Sequence, residues 1–147
     1  LSSNLPAFLI EGSGLNSGFM MAQVTAAALA SENKGLCHPA SIDTIPTSAG
    51  QEDHVSMGPI AARKALVVLR NTEHILGIEV LAAAQAMDLR GPLVPAKGPN
   101  AARKRLRQDI TYLDADRILH QDLEDAATLV RSGALLEAAE AVIGSLD

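Results

Sequence analysis

The spacing of apolar residues along the chain predicts five helices and no strands. Apolar positions recur every three or four residues over most of the sequence, which is typical of amphipathic helices. The first such run begins at Asn16 or Ser17 and ends near Lys34, where Gly35 suits a helix C-cap. The predicted helices cover residues 16–34, 53–89, 100–113, 122–131 and 134–143.

The second helix is unusually long. Between Asp53 and Leu89 only Pro59 is a helix breaker, and proline is tolerated in a first turn. A helix of about 35 residues is roughly 50 Å long, so it should project or pack against other chains. We therefore predict an all-α, elongated helical bundle with one very long helix. Residues 1–92 form its central segment, and residues 93–147 form small C-terminal helices.

Composition narrows the class of protein. The chain has 147 residues, of which 48% are hydrophobic and 20% charged, as expected of one folded domain. With 25 alanines and only 2% aromatic residues, its core is thin, because burial energy scales with side-chain area. An oligomer, or a piece of a larger chain, stabilises such a core more easily. The first residue, Leu1, is not Met, which we interpret as processing or excerpting.

Charge and polarity argue against two partner classes. The net charge of −5 disfavours a dedicated nucleic-acid binder. The longest run without charged side chains, residues 12–31, contains several polar residues and glycines, and is too polar for a membrane span. We expect a cytoplasmic protein without nucleic-acid or membrane partners.

The remaining clusters of reactive residues have simple interpretations. The basic cluster Arg103, Lys104, Arg105 and Arg107 is interpreted as a solvated helix face, since no aromatic residue interleaves for base stacking. Cys37 is the only cysteine and excludes an internal disulfide; we interpret it as a small buried apolar group. The four histidines match no zinc spacing and are predicted to be surface or hydrogen-bonded residues. No metal is expected.

The predicted loop over residues 36–53 is long enough to suggest a function. Ser48 and Gln51 fit a capping box, and the carboxylates of Glu52 and Asp53 suit the positive end of a helix dipole. In an alternative interpretation, a carboxylate and an amide converge on a substrate at the helix N-terminus. Periodicity does not separate capping from substrate binding.

Several long motifs closely resemble those of the histidine ammonia-lyase family. The resemblance runs nearly continuously from Leu5 to about Arg90 and continues by helix order towards the C-terminus. Its motifs are Asn16-Ser17-Gly18-Phe19-Met20, Ala22-Gln23-Val24-Thr25, Ser31-Glu32-Asn33-Lys34, His38-Pro39-Ala40-Ser41, Pro46-Thr47-Ser48-Ala49 and Gln51-Glu52-Asp53-His54-Val55-Ser56-Met57-Gly58.

The resemblance implies a chemistry. Members of that family eliminate ammonia from L-histidine to give urocanate, the first step of histidine degradation. Their electrophile is a methylidene-imidazolone group formed from an internal Ala-Ser-Gly, and a tyrosine hydroxyl is the usual candidate base. They are mostly helical homotetramers in which three chains build each active site. Helix N-termini face the electrophile and favour developing negative charge.

Two residues carry the implied site. Glu52 matches the family's substrate-pocket glutamate, which accepts the imidazole N–H of histidine as a charge-assisted bond and assists proton transfer. Relatives that act on phenylalanine or tyrosine usually lack this glutamate, so Glu52 favours L-histidine. The adjacent Gln51 is expected to line the same pocket. Asn16, Ser17 and Phe19 match positions that we interpret as structural.

The chain departs from the family in its catalytic centre. It contains no Ala-Ser-Gly, and its one tyrosine, Tyr112, lies outside the matching motifs. We therefore predict a C-terminal part of a histidine ammonia-lyase that is inactive on its own and self-associates. The alternatives are a fragment of a tyrosine or phenylalanine ammonia-lyase or aminomutase, and a non-enzymatic helical oligomerisation module.

Overall fold

A computed structural model describes residues 4–12, 14–52 and 54–146 of the chain. This part contains five α-helices, two short 3-10 turns (Ala7–Leu9 and Ser48–Gly50) and no β-strand, which confirms the all-α prediction. The helices are α1 (Met20–Leu36), α2 (Gly58–Leu89), α3 (Lys97–Asp109), α4 (His120–Ser132) and α5 (Ala134–Ile143).

Helix α2 is the longest element, and α1 and α4 pack against it, whereas α3 and α5 pack mainly against each other. Its 32 residues extend about 48 Å at about 1.5 Å per residue. Helix α1 lies antiparallel to it, because Phe19 near the start of α1 packs beside Ile78, whereas Asn33 near its end meets Asn71. The Asn71 amide donates to Asn33 Oδ1 at 2.9 Å and to Glu32 Oε2 at 2.8 Å. The predicted very long helix is thus confirmed.

The C-terminal half of α2 approaches α4 closely at Gly77. A Cβ built on Gly77 would lie 2.8 Å from the backbone nitrogen of Ala127 and 3.2 Å from the carbonyl carbon of Ala126. Both alanines are fully buried. Small residues on both helices let the backbones pack at short distance. The alanines of α4 thus allow its backbone to lie close to that of α2.

A buried amide joins α2 to three other parts of the chain. The Gln85 side chain is fully buried and donates to the carbonyls of Leu9 (3.1 Å) and Leu113 (2.8 Å). Its oxygen accepts from the Leu113 amide and from Arg107, each at 3.2 Å. The amide therefore uses both donors and its acceptor, which removes the cost of burying it.

The basic cluster is only partly a solvated face. Arg103 and Arg107 turn towards α2 and pair with Asp88, and Arg107 Nε lies 2.8 Å from Asp88 Oδ2. Arg105 pairs with Asp109 on the same helix. The predicted solvated face is wrong for Arg103 and Arg107, whose guanidinium groups neutralise a half-buried carboxylate and connect α3 to α2.

The first helix begins at Met20, so the predicted start at residue 16 or 17 is wrong. Gly18 has a left-handed φ of +53°, and a Cβ there would lie 2.6 Å from the carbonyl oxygen of Phe8. The amides of Ser17 and Gly18 donate to the Asp116 carboxylate at 2.8 Å each. These two bonds hold the pKa of Asp116 below its usual range.

The residues interpreted as structural have that role. The Asn16 side chain donates to the Glu11 carbonyl at 3.2 Å and accepts from the Asp116 amide at 3.4 Å, and Phe19 is buried in the core. The end of α1 also differs from the prediction. Gly35 is helical and Cys37 follows the last helical residue, so the predicted glycine C-cap is wrong.

Other predicted boundaries shift by a few residues. Helix α2 begins at Gly58 rather than Asp53, a residue that lies outside the described part. Helix α3 covers Lys97–Asp109 rather than 100–113. It starts early because Pro99 fits a first turn, and it ends early because Ile110 is extended and buried. Helix α4 exceeds its predicted bounds slightly, and α5 is confirmed.

The close contact at Gly77 predicts an unusual effect of alanine. Within a helix, Gly→Ala normally stabilises by about 1 kcal/mol. At Gly77 the added methyl meets the backbone of α4, which cannot move away as a side chain can, so we expect Gly77→Ala to destabilise by about 1–3 kcal/mol. Urea unfolding followed by circular dichroism measures the change.

The matched control is Gly35→Ala, because Gly35 is also helical and has open space around its missing Cβ. This variant should unfold at the same or a higher urea concentration. Equal stabilisation by both substitutions would show that α2 and α4 are not in close backbone contact.

Candidate functional site

The segment between α1 and α2, residues 37–57, carries both predicted site residues. We refer to it as the α1–α2 loop. Gln51 and Glu52 lie on it and are exposed to solvent. The neighbouring Asp53 lies outside the described residues. The structure therefore brings Gln51 and Glu52 together at the end of the molecule where α2 begins.

Two threonines close the α1–α2 loop in two nested pairs. In the outer pair, the Thr44 hydroxyl accepts from the Val55 amide at 2.8 Å and lies 3.3 Å from the Val55 carbonyl, to which it donates. In the inner pair, the Thr47 amide donates to the Glu52 carbonyl at 3.3 Å. The Thr47 hydroxyl lies 3.4 Å from Glu52 Oε2. Glu52 is thereby held at the closing position of a tight turn.

The turn between Thr47 and Glu52 has a left-handed backbone. Ser48, Ala49 and Gly50 have φ values of +51°, +58° and +83°, and the Gln51 amide bonds back to the Ser48 carbonyl at 3.2 Å. A left-handed conformation is unfavourable for residues other than glycine. Such backbone is retained where the surrounding structure enforces it, often at functional sites.

The predicted capping box is wrong. Ser48 begins a 3-10 turn, and α2 starts only at Gly58, after Met57 with a left-handed φ of +50°. No side-chain cap bonds to the first turn of α2. Glu52 therefore does not stabilise the helix dipole from a capping position, and the simplest structural explanation for its carboxylate is removed.

An apolar groove of about 520 Å³ lies between the start of the α1–α2 loop and α2. The Lys64 ammonium group donates to the carbonyl of His38 and ties the loop to the helix. The groove is lined by Leu36, Cys37, His38, Pro39, Ala40, Ala61, Lys64, Ala65, Val68, Leu69 and Thr72. Its lining is suited to aliphatic contacts and offers one cation.

The cysteine and histidines take ordinary positions. Cys37 is exposed, so its interpretation as a buried apolar group is wrong. His38, His54 and His120 are on the surface, as predicted. His74 lies between the Arg70 carbonyl (2.9 Å) and Glu124 (3.1 Å), and the bond to the carbonyl is the main reason that its pKa is raised.

Other candidate chemistry is sparse in the part of the chain that the structure describes. No cluster of three or more histidine, cysteine or acidic residues is arranged to hold a metal there. None of the described helices is both long and apolar enough to cross a membrane. Tyr112 lies between α3 and α4, where burial raises the pKa of its hydroxyl.

The sequence did not single out the two threonines as loop-closing residues. A hydroxyl that bridges two backbone groups has no periodic signal, because the partner residues are fixed by loop geometry rather than by spacing. Gln85 likewise belongs to no motif that marks it in the sequence, although it is fully buried. The signal that could have indicated the burial of Gln85 is its place as a long polar side chain within the apolar stripe of α2.

The geometry defines what the exposed site can do. Glu52 offers a carboxylate that accepts hydrogen bonds, and Gln51 offers an amide that both donates and accepts. An exposed carboxylate held on a closed loop recognises an N–H donor. Non-oxidative elimination of an amino group also needs an electrophile, and neither side chain is one.

Comparison with known proteins identifies relatives of the whole segment. A family model described as aromatic amino acid lyase matches residues 1–108. Histidine ammonia-lyase from Gloeobacter violaceus is 54% identical over 146 residues, which are 99% of this chain and 28% of that protein. Histidine ammonia-lyase from Anaeromyxobacter sp. is 59% identical over 133 residues, 90% of this chain and 26% of that protein.

Solved structures of related enzymes contain a segment with the same fold as this chain. The crystal structure of histidine ammonia-lyase from Trypanosoma cruzi has a TM-score of 0.89 and 48% identity, covering 93% of this chain and 27% of that one. Tyrosine aminomutase from Streptomyces globisporus also has a TM-score of 0.89, with 40% identity over 97% of this chain and 27% of that one. This chain thus spans little more than a quarter of its relatives. Because the family model matches well over half of its residues, the chain belongs to the aromatic amino acid lyase family.

Proposed function

We propose that this chain is a segment of a histidine ammonia-lyase and contributes the Glu52 carboxylate to the pocket that binds L-histidine. The complete enzyme would eliminate ammonia from L-histidine to give urocanate. The observation that carries the proposal is an exposed carboxylate, free of any capping role, held by the α1–α2 loop. In this role Glu52 accepts the imidazole N–H, and Gln51 lines the pocket beside it.

The relatives favour L-histidine over phenylalanine and tyrosine as the substrate. The named histidine ammonia-lyases reach 54% and 59% identity, against 40% for the tyrosine aminomutase. The ring of phenylalanine has no hydrogen-bond donor, so a carboxylate at this position gains no partner from it and is desolvated at a cost. Tyrosine offers a phenolic hydroxyl at the end of its ring in place of the imidazole N–H. The aminomutase is nevertheless as close in fold, and a tyrosine-directed enzyme is the second candidate.

The electrophile of the reaction does not fit the residues of this chain. The methylidene-imidazolone group forms from Ala-Ser-Gly, whereas this sequence has Ala30-Ser31-Glu32, Ala40-Ser41-Ile42 and Ser48-Ala49-Gly50. None has the required order. We therefore assign no chemical step to that group here, and we propose that the segment contributes substrate recognition. The missing Ala-Ser-Gly is the reason for predicting a C-terminal part of the parent enzyme, and the share of the relatives that this chain matches does not establish that placement.

Assembly with other chains is part of the proposal. Several large apolar side chains on the N-terminal half of α2 are exposed, including Leu66 (49%) and Leu69 (54%). On α1, Met21 (62%) and Val24 (48%) are exposed as well. Apolar surface of this extent is typical of interfaces. We propose a homo-oligomer, in the parent enzyme a tetramer, in which these faces are covered.

The isolated chain should therefore be inactive and associated. We expect no urocanate from L-histidine, because the chain lacks the Ala-Ser-Gly from which the electrophile forms. We expect sedimentation velocity at micromolar concentration to give species heavier than the 15.3 kDa monomer. A single monomeric boundary would contradict the assignment of the exposed apolar faces to an interface.

Substitution of Glu52 tests the substrate assignment in the complete lyase. Glu52→Gln keeps the shape of the side chain but removes its charge, so the bond to the imidazole weakens. We expect kcat/KM for L-histidine to fall about 10- to 100-fold, as for a lost charge-assisted hydrogen bond. The measurement is the rate of urocanate formation by its absorbance.

Glu137→Gln on α5 is the matched control, because it makes the same chemical change on an exposed helix away from the loop. It should leave kcat/KM within about twofold. Unchanged histidine turnover in Glu52→Gln would refute the proposed role of Glu52. A product from L-tyrosine and none from L-histidine would favour the second candidate.

A further inference from the structure

Thr47 contacts Glu52 through both its backbone and its side chain. The amide of Thr47 donates to the Glu52 carbonyl at 3.3 Å, and its hydroxyl lies 3.4 Å from Glu52 Oε2. A threonine hydroxyl next to an ionised carboxylate acts as the donor. Glu52 Oε1 accepts no hydrogen bond from the described residues. One carboxylate oxygen therefore has a donor, and the other has none within the described residues.

The hydrogen bonds of Thr44 hold the loop segment in which Thr47 contacts Glu52. The Thr44 hydroxyl binds both the amide and the carbonyl of Val55, and these bonds are partly buried. They fix the two ends of the segment that contains Thr47 and Glu52. The left-handed residues Ser48 and Ala49 complete the turn inside this frame. The position of the Glu52 backbone is thus set independently of its side chain.

Among the described residues, Thr47 is the one whose side chain restrains the side chain of Glu52. Glu52 is exposed, and an unrestrained glutamate side chain has rotamer freedom worth up to about 1.5–2 kcal/mol when it is ordered. A group that must meet a substrate gains from being ordered in advance. The Thr47 hydroxyl is the one described side chain that bonds to the Glu52 carboxylate.

We propose that Thr47 is a positioning residue that orients the Glu52 carboxylate towards the substrate. This inference rests on the proposed function of Glu52 and adds the group through which its direction is set. Thr47 acts on the substrate only through Glu52. Its removal therefore weakens recognition of L-histidine while Glu52 is present and changes nothing once Glu52 is gone.

The test is a double-substitution cycle in the complete lyase, with kcat and KM for L-histidine as readouts. Thr47→Val removes the hydroxyl and keeps the branched shape, which suits the extended backbone at this position (φ −127°). We expect Thr47→Val to lower kcat/KM about three- to tenfold, mainly through KM, as for one lost hydrogen bond. Thr47→Ser should restore it to within about twofold, because the hydroxyl is retained.

The cycle separates positioning from a merely structural role. In a Glu52→Ala background, Thr47→Val should change kcat/KM by less than about twofold. An equal loss in both backgrounds would overturn the proposal, because Thr47 would then act without Glu52. Thr128→Val on α4 removes an exposed threonine hydroxyl elsewhere and should have no effect. Thr47→Ala serves as a second variant if valine alters the elution of the assembled enzyme.

The outcomes also separate this inference from the proposed function. If Glu52→Ala lowers histidine turnover and neither Thr47→Val nor Thr47→Ala does, the positioning role is overturned and the function of Glu52 stands. If Glu52→Ala itself leaves histidine turnover unchanged, the proposed function fails and the positioning role fails with it.

Discussion

The fold depends on one buried amide group on its longest helix. Gln85 bonds to the N-terminal turn, to the segment after α3 and to Arg107, so three parts of the chain meet at one side chain. A buried amide is stable only when its polar atoms are paired, which makes these contacts mutually dependent. Asp88 extends the same connection by pairing with Arg103 and Arg107. The C-terminal half of α2 is in this way enclosed by protein.

Because only the C-terminal half of α2 is enclosed, its N-terminal half remains available for contacts with other chains. Exposed apolar residues such as Leu66 and Leu69 lie there, next to the apolar groove and the α1–α2 loop. The part of the loop around Glu52 is closed by local hydrogen bonds of Thr44 and Thr47. A site with local support at the end of a rigid helix is suited to be completed by other chains. This arrangement agrees with a segment that is about a quarter of its relatives' length.

The sequence predicted the helices well and the loop poorly, for physical reasons. Periodicity reports burial of one helix face, so the end of α2 and both ends of α5 agree with the prediction, whereas α2 starts five residues later than predicted. It does not report tertiary hydrogen bonds, and these moved the start of α1, where Asp116 binds the amides of Ser17 and Gly18. Ser48 and Gln51 have the residue types of a capping box, yet left-handed backbone places them in a separate turn. Glu52 is predicted as a site residue from its match to family motifs, whereas its contact with Thr47 required coordinates.

The most direct test of this account is a crystal structure of the complete lyase with L-histidine bound. We expect a carboxylate oxygen of Glu52 to lie about 2.7–3.2 Å from an imidazole nitrogen of the substrate, with the Thr47 hydroxyl bonded to the other oxygen. A structure in which the imidazole contacts other groups and Glu52 faces solvent would contradict it.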